Sequence, residues 1–481
     1  MFNVLVNQIL KPFARSTKGG IATYMALAMI PFVGIVGIGT DVARGFMVKS
    51  RLASAVDAAA LAGGKAFFKP TRDEDVTMFF NANFPAGYMG AAVNGPNWIV
   101  DEAAETITVT ASATLPTTFM KILERSDLTV KAEAEVTRQM QMLDVVLSID
   151  MSGSMGNSAP GGGSRIAAAR GAATDLVNIL FGDDAEKELL TVGLVPWNGK
   201  VNVMTDKPNY DPDLTTSAFV PVYTNPLTGS AETEVFYANV SPVPLFSAPP
   251  DNWKGCVFSR FIDDDDPLSD ADNLEGPAEV PLADWPAWEP VGPEGEPVSG
   301  WQKCDLSMGG ECTPCLSHGI TPLTNVKATI LGEIGALLNP KGTTNITQGL
   351  GWAWRVLTPE APFTEAVADP PYLRQQAVVL LSDGENYPGH GDGYKRTFGG
   401  GSDGREEMDA RLLALAENMK ADGIIIYVVQ FANAGTGLQD LLQQVASGPV
   451  SPFYHYAPDA NALKAVFHEV ANHLSELRIS K

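Results

Sequence analysis

Three separated stretches carry oxygen groups in a pattern suited to a divalent cation. Asp150-Met151-Ser152-Gly153-Ser154 follows the short apolar run Leu143 to Ile149. Gly342-Thr343-Thr344-Asn345-Ile346 lies in a predicted loop, and Asp383 follows the apolar run Ala377 to Leu381. Together they supply two carboxylates and several hydroxyls. Hard cations such as Mg²⁺ prefer such a set, with open positions filled by water or an outside ligand. No imidazole or thiolate belongs to the group, so zinc-hydroxide chemistry is not indicated. No histidine lies near Ser152 or Ser154 in sequence, so a nucleophile–base pair is not placed and no enzyme is expected. Alone, the D-x-S-x-S string could be turn and cap chemistry. Its combination with a second Asp at a predicted strand end favours the metal reading.

The elements around these residues alternate. Strands are predicted at Leu143–Ile149, Leu190–Pro196, Ala377–Leu381, Ile424–Gln430 and Phe453–Tyr456. Helices are predicted at Arg165–Leu180, Asn325–Leu338, Arg405–Ala421, Gly437–Ala446 and Asn461–Leu477. This order predicts an α/β fold, a doubly wound and mostly parallel sheet covered by helices on both sides. Ligands of such sheets bind beyond the carboxyl ends of the strands, where Asp150 and Asp383 fall.

Residues 198–322 interrupt the rhythm as a Cys-, Trp- and Pro-rich insertion. It holds all four cysteines: Cys256, Cys304, Cys312 and Cys315. Structural bridging is the expected use, with a zinc site the alternative and the pairing open. Trp253, Trp285, Trp288 and Trp301 are expected to anchor a subdomain poor in regular elements. The acidic run Asp263 to Asp266 lacks the Gly of a calcium loop and reads as solvated. The glycine-rich stretch Gly389 to Gly393 and Gly399 to Gly401 reads as a rim of the metal face.

At the other end, residues 1–18 are a short tail expected in the cytoplasm, and residues 19–40 carry no charge. A helix of 22 residues spans about 33 Å, near the roughly 30 Å of bilayer hydrocarbon. It exceeds the roughly 7–15 residues of a signal-peptide apolar core, so a retained transmembrane helix with Pro31 at a kink is expected. Residues 41–142 are expected to hold a continuing helix and a small β-rich region with two strands, Thr106–Ala113 and Leu128–Thr137. On the helix, Val48, Leu52, Ala55, Ala59 and Ala62 form a small-residue stripe, docked either on its own domain or on neighbouring copies.

Residues 143–477 resemble a von Willebrand factor type A domain, and the three loops resemble its metal-ion-dependent adhesion site (MIDAS). The resemblance implies that Ser152 and Ser154 bind the cation directly, Thr344 directly or through water, and Asp150 and Asp383 largely through water. It implies Mg²⁺, or Mn²⁺ or Ca²⁺, with one position left for a carboxylate of a protein partner. The N-terminal Gly19 to Gly64, ending LASAVDAAALAGG, is similar to TadG-like proteins of tight-adherence (Flp) pilus assembly. That similarity implies a single-pass bacterial inner-membrane protein with its bulk in the periplasm or at the cell surface, among other pilus-assembly components. One departure stands out: five residues after Gly20 lies Met25, where processed pseudopilins carry Glu. The function so implied is adhesion or assembly through the metal site. The alternative is a structural minor pilin or scaffold packing through the N-terminal helix.

Composition agrees. Lys+Arg 33 against Asp+Glu 56 gives a net charge of −23, which excludes a nucleic-acid binder needing clustered Lys and Arg. Hydrophobic content of 45% suffices for a sizeable core.

Overall fold

A computed structural model describes residues 20–67, 70–101, 106–137, 141–205, 209–260, 285–292, 314–370, 372–389 and 402–479. The chain forms two compact units, one within Met1–Gln139 and the other within Met140–Ser480.

In the first unit a single helix, α1 (Gly20–Lys65), joins the apolar segment to the small-residue stripe without a break, with Pro31 inside it. It is the one helix among the described residues long and apolar enough to cross a membrane. Its second half and α2 (Arg72–Asn83) pack on an antiparallel sheet of order β1 (Ala92–Asp101), β2 (Thr106–Pro116), β3 (Asp127–Thr137). On β2, alternate residues Ile107, Val109, Ala111, Ala113 and Leu115 point inward and meet Val48, Leu52, Ala55 and Ala59 of the helix. The stripe is therefore covered by the chain's own sheet rather than left for neighbouring copies. Two elements depart from expectation. The sheet has a third strand, because Asn94-Gly95-Pro96-Asn97, which reads as a turn, is absorbed by a register shift between Asn94 and Asn97. Helix α2 carries no signal in the sequence, since its only buried residues are Val76 and Phe80 and no apolar stripe marks it.

The second unit is the expected doubly wound α/β sheet. Five strands run parallel in the order β13 (Tyr454–Ala457), β12 (Ile425–Phe431), β11 (Leu373–Ser382), β4 (Gln141–Asp150), β5 (Leu190–Trp197). Short antiparallel strands extend it: β6 (Val201–Asn202) beside β5, β9 (Cys256–Val257) beside β6, and β10 (Thr321–Thr324) also on β5. Successive residues of the central strands serve opposite cores. Val378 and Leu380 face α5 (Ile346–Leu357), α6 (Ser402–Ala421) and α7 (Thr436–Val445). Ala377, Val379 and Leu381 face α3 (Arg165–Phe181), α4 (Lys327–Ala336) and α8 (Ala460–Ile479). Burial on both faces explains why these strands read as continuous apolar runs.

Helix α5 falls where the sequence pattern predicts no element. All of its residues are buried, the polar Thr347, Gln348 and Arg355 included, and two glycines weaken its helix propensity. Gly349 is needed for contact: a Cβ there would lie 2.2 Å from Nε1 of the buried Trp197.

The insertion is not separate from the main sheet. It donates β6 and β9 to it and carries a ribbon of β7 (Thr216–Thr224) with β8 (Ala231–Tyr237). Trp253, Trp285 and Trp288 are buried anchors, as expected. Cys315 is bonded to Cys256, not to its neighbour Cys312, which removes both as thiolate ligands for zinc. Cys304, Cys312, Trp301, Asp263 to Asp266, residues 390–401 and the N-terminal tail lie outside the described residues.

Asp144, near the start of β4, is buried and accepts a hydrogen bond from Thr191 Oγ1 at 2.6 Å. Burial raises its pKa above 3.8, against the opposing effects of Thr191, Arg374 and Gln376. A folded carboxyl with a raised pKa holds its proton longer than the unfolded one. Its cost is thus absent below the unfolded value, grows as pH rises through the interval between the two, and is complete above the folded value. Asp144→Asn is expected to match the parent's urea midpoint at the acid end of this window. It should gain on the parent as pH rises towards 7; a constant difference at every pH would contradict this origin.

Candidate metal centre

The register of β4 against β11 builds the site. Ile149 pairs with Leu381 in a parallel ladder, so both strands end side by side. Asp150 closes β4, and Asp383 follows β11. Both are essentially buried, at 0% and 1% exposure. Asp150 Oδ1 accepts from the Ser152 backbone N–H at 2.7 Å, and Oδ2 accepts from Ser382 Oγ at 2.8 Å. Burial, and then the neighbouring Asp383 charge, push the Asp150 carboxyl up to about 7.

The hydroxyls converge on the same place. Ser152 Oγ and Ser154 Oγ are 3.0 Å apart, and Ser154 Oγ donates to Asp383 Oδ1 at 2.5 Å. Thr344 comes from the loop before α5. A Cβ on Gly384 would lie 3.4 Å from Thr344 Oγ1 and 3.6 Å from Ser154 Oγ, so both hydroxyls face one small space. Thr343 points elsewhere, into van der Waals conflict with any Cβ at Gly389. All five sequence-identified residues, Asp150, Ser152, Ser154, Thr344 and Asp383, are thus gathered in one cluster.

The loops are fixed to each other by backbone bonds. Gly153 N–H donates to Gly342 O at 2.9 Å, and Lys341 N–H to Met151 O at 2.8 Å. The Asn198 backbone carbonyl accepts from Asn345 N–H at 3.2 Å, and Asn198 Nδ2 donates to Lys341 O at 2.8 Å. Asn386 Oδ1 takes the Ile346 N–H at 2.9 Å, which ties the Asp383 loop to the start of α5.

Sequence reasoning missed a direct counter-charge of the site, the one found among the described residues. Arg165, at the first turn of α3, places Nη1 2.8 Å from Asp383 Oδ2. Nothing in its spacing signals this, because the contact crosses 218 residues. Ser382 and Asn386 were also missed, although both flank Asp383 in the sequence.

The residues fit a divalent cation on their own chemistry. Two buried carboxylates stand together, of which Asp383 is paired with Arg165, and burial followed by the Asp383 charge disfavours the charged form of Asp150. A cation would favour that form. Every available donor is oxygen, which suits a hard ion. Among the described residues no group of three or more His, Cys, Asp or Glu side chains forms a separate metal site.

Residues 19–66 match the family described as putative Flp pilus-assembly TadE/G-like. No curated protein matches the chain. Among solved structures, the pilus adhesin SpaC from Lactobacillus rhamnosus GG is similar, with 12% identity and a TM-score of 0.35. That likeness covers 80% of this chain but only 35% of the adhesin. The vWF domain of the type V pili tip protein Mfa5 from Porphyromonas gingivalis gives 12% identity and a TM-score of 0.36, over 71% of this chain and 97% of that one. Proximal thread matrix protein 1 from the mussel byssus, with a zinc-occupied MIDAS motif, gives 12% identity and 0.31, over 70% and 48%. At these scores the likenesses decide nothing about chemistry.

Ser382→Ala removes a donor from a buried carboxylate. The expected cost is about 1–3 kcal/mol, read as a lower urea midpoint at pH 8 in chelator. An unchanged midpoint would show that Asp150 does not depend on this bond.

Proposed function

We propose that the chain is a membrane-anchored adhesion or assembly protein of a tight-adherence pilus system, one that grips a protein partner through a bound divalent cation. The carrying observation is the cluster of two buried carboxylates and three hydroxyls at the carboxyl ends of β4 and β11. Ser152, Ser154 and Thr344 would hold the ion, with Asp150 and Asp383 behind them. Mg²⁺ is the favoured ion, with Mn²⁺ and Ca²⁺ as alternatives. Bound there, a cation with few direct carboxylate ligands offers a position to a partner's acidic side chain. The chain's own residues orient the hydroxyls and keep the two carboxylates apart from bulk water.

The match of residues 19–66 to the pilus-assembly family supports the biological setting. The apolar part of α1 supports a single-pass anchor, with the second unit on the extracytoplasmic side. The role is binding rather than turnover: Ser152 and Ser154 bond to each other, Ser154 donates to Asp383, and the Asp383 carboxylate is engaged by Arg165. The scaffold alternative, in which Val48 to Ala62 packs into neighbouring subunits, loses most of its surface because Val48, Leu52, Ala55 and Ala59 are already buried at home.

Titration of the detergent-solubilised full chain with Mg²⁺ or Mn²⁺ tests the reading. At about 100 times its dissociation constant, one ion should stabilise the fold by about 2.7 kcal/mol, and chelator should reverse the gain. Asp383→Ala should abolish the gain, and pull-down of other pilus-assembly components should fail in chelator. Identical melting with and without cation would overturn the metal assignment. Cation binding with metal-independent pull-down would overturn the adhesion role alone.

A further inference from the structure

The exposed apolar surface of α1 does not stop at Thr40. Tyr24, Met25, Leu27, Met29, Phe32, Ile35 and Val36 are exposed, and so are Val42, Phe46 and Met47 beyond them. From Tyr24 to Met47 a helix rises about 36 Å, enough for a bilayer's hydrocarbon core. Only two charged residues, Asp41 and Arg44, lie within this band.

Both charges are occupied. Asp41 is 2% exposed, and its carboxylate accepts three successive backbone N–H groups from the turn between β2 and β3. The distances are 3.0 Å from Thr118, 2.7 Å from Phe119 and 2.9 Å from Met120. Arg44 lies 3.7 Å from Asp41 and donates to Thr118 Oγ1 at 3.3 Å and to Met89 O at 3.1 Å. The β2–β3 turn is thereby bolted to the helix beside its apolar section. Contact is close: a Cβ on Gly37 would fall 2.5 Å from the Phe119 ring, and one on Gly45 would fall 2.3 Å from Leu128. The Phe119 ring borders a shallow hollow of about 190 Å³ with Phe32, Val36, Gly37 and Thr40. Phe119 and Met89 stay 37% and 38% exposed on adjacent turns, and Lys121 and Arg125 are exposed beside them.

Backbone N–H groups facing lipid must find partners within the protein. The Asp41 carboxylate supplies them for the turn, where solvent would serve at a water-facing surface. Aromatic and basic side chains at one level also suit the boundary between acyl chains and headgroups. We propose that the β2–β3 turn and Met89 insert into the phospholipid interface. Phe119 then contacts acyl chains beside Phe32, Lys121 and Arg125 reach headgroup phosphates, and the bilayer edge lies near Phe46 rather than Thr40. This rests on α1 spanning the membrane, and it makes the first unit a membrane-seated base rather than a domain hanging on a stalk.

Depth-dependent quenching by brominated phospholipids tests it on the full chain in phosphatidylethanolamine–phosphatidylglycerol vesicles, with the parent's eight tryptophans as the subtracted background. Phe119→Trp and, as an independent site, Met89→Trp should each add emission that bromine quenches. Phe32→Trp, inside the span, should be quenched as well. Ile99→Trp is the control. Ile99 is 74% exposed but pairs with Thr108, at the sheet end that packs on Gly63, so its emission should not be quenched. Quenching in Phe32→Trp but in neither Phe119→Trp nor Met89→Trp would overturn the proposal and leave the span intact. Loss of quenching in all three variants would overturn the span itself.

Discussion

The parallel register between β4 and β11 is the constraint on which the candidate site depends. Pairing Ile149 with Leu381 brings two carboxylates to neighbouring strand ends and buries both. Like charges so placed repel, and burial removes the water that would screen them. Among the described residues a backbone N–H, three serine hydroxyls and one guanidinium answer them, and burial, then the Asp383 charge, still push the Asp150 carboxyl up to about 7. Two buried carboxylates framed by oxygen donors are the arrangement on which the proposed cation site rests. It is also a cost that the rest of the unit must offset by apolar burial.

That burial is arranged in two layers around the same strands. Alternate residues of β11 enter opposite cores, so neither face of the sheet is open to water. Helix α5 matters most for the site, because its buried start fixes the loop carrying Thr344. Asn345 caps the helix, while Asn386 and Asn198 tie that loop to the strands on either side. Groups held by such supports lose little entropy when a ligand arrives, which is the physical content of a preorganised site.

The first unit follows a parallel logic on a smaller scale. A buried carboxylate, Asp41, again sits where a helix meets loops, but here three backbone N–H groups and an arginine satisfy it. No cation is called for. The comparison shows why a buried acid alone does not define a metal site: what counts is whether the surrounding donors exhaust its charge. The small residues along α1 serve close packing of helix against sheet in the same way that Gly349 serves Trp197.

Periodicity and residue type in the sequence determined the main strands, most helices, the apolar N-terminal segment and the five residues of the candidate site. Those features depend on local order along the chain: an apolar run for a strand buried on both faces, D-x-S-x-S after one strand and Asp after another. The tertiary structure decided the rest. Helix α5 is buried on every side although its sequence includes Thr347, Gln348, Arg355 and two glycines. Strand β1 hides a register shift behind turn-forming residues. Arg165 reaches Asp383 across 218 residues, and Cys256 finds Cys315 rather than a sequence neighbour. Pairings between distant residues follow from packing and register, and a linear pattern records neither.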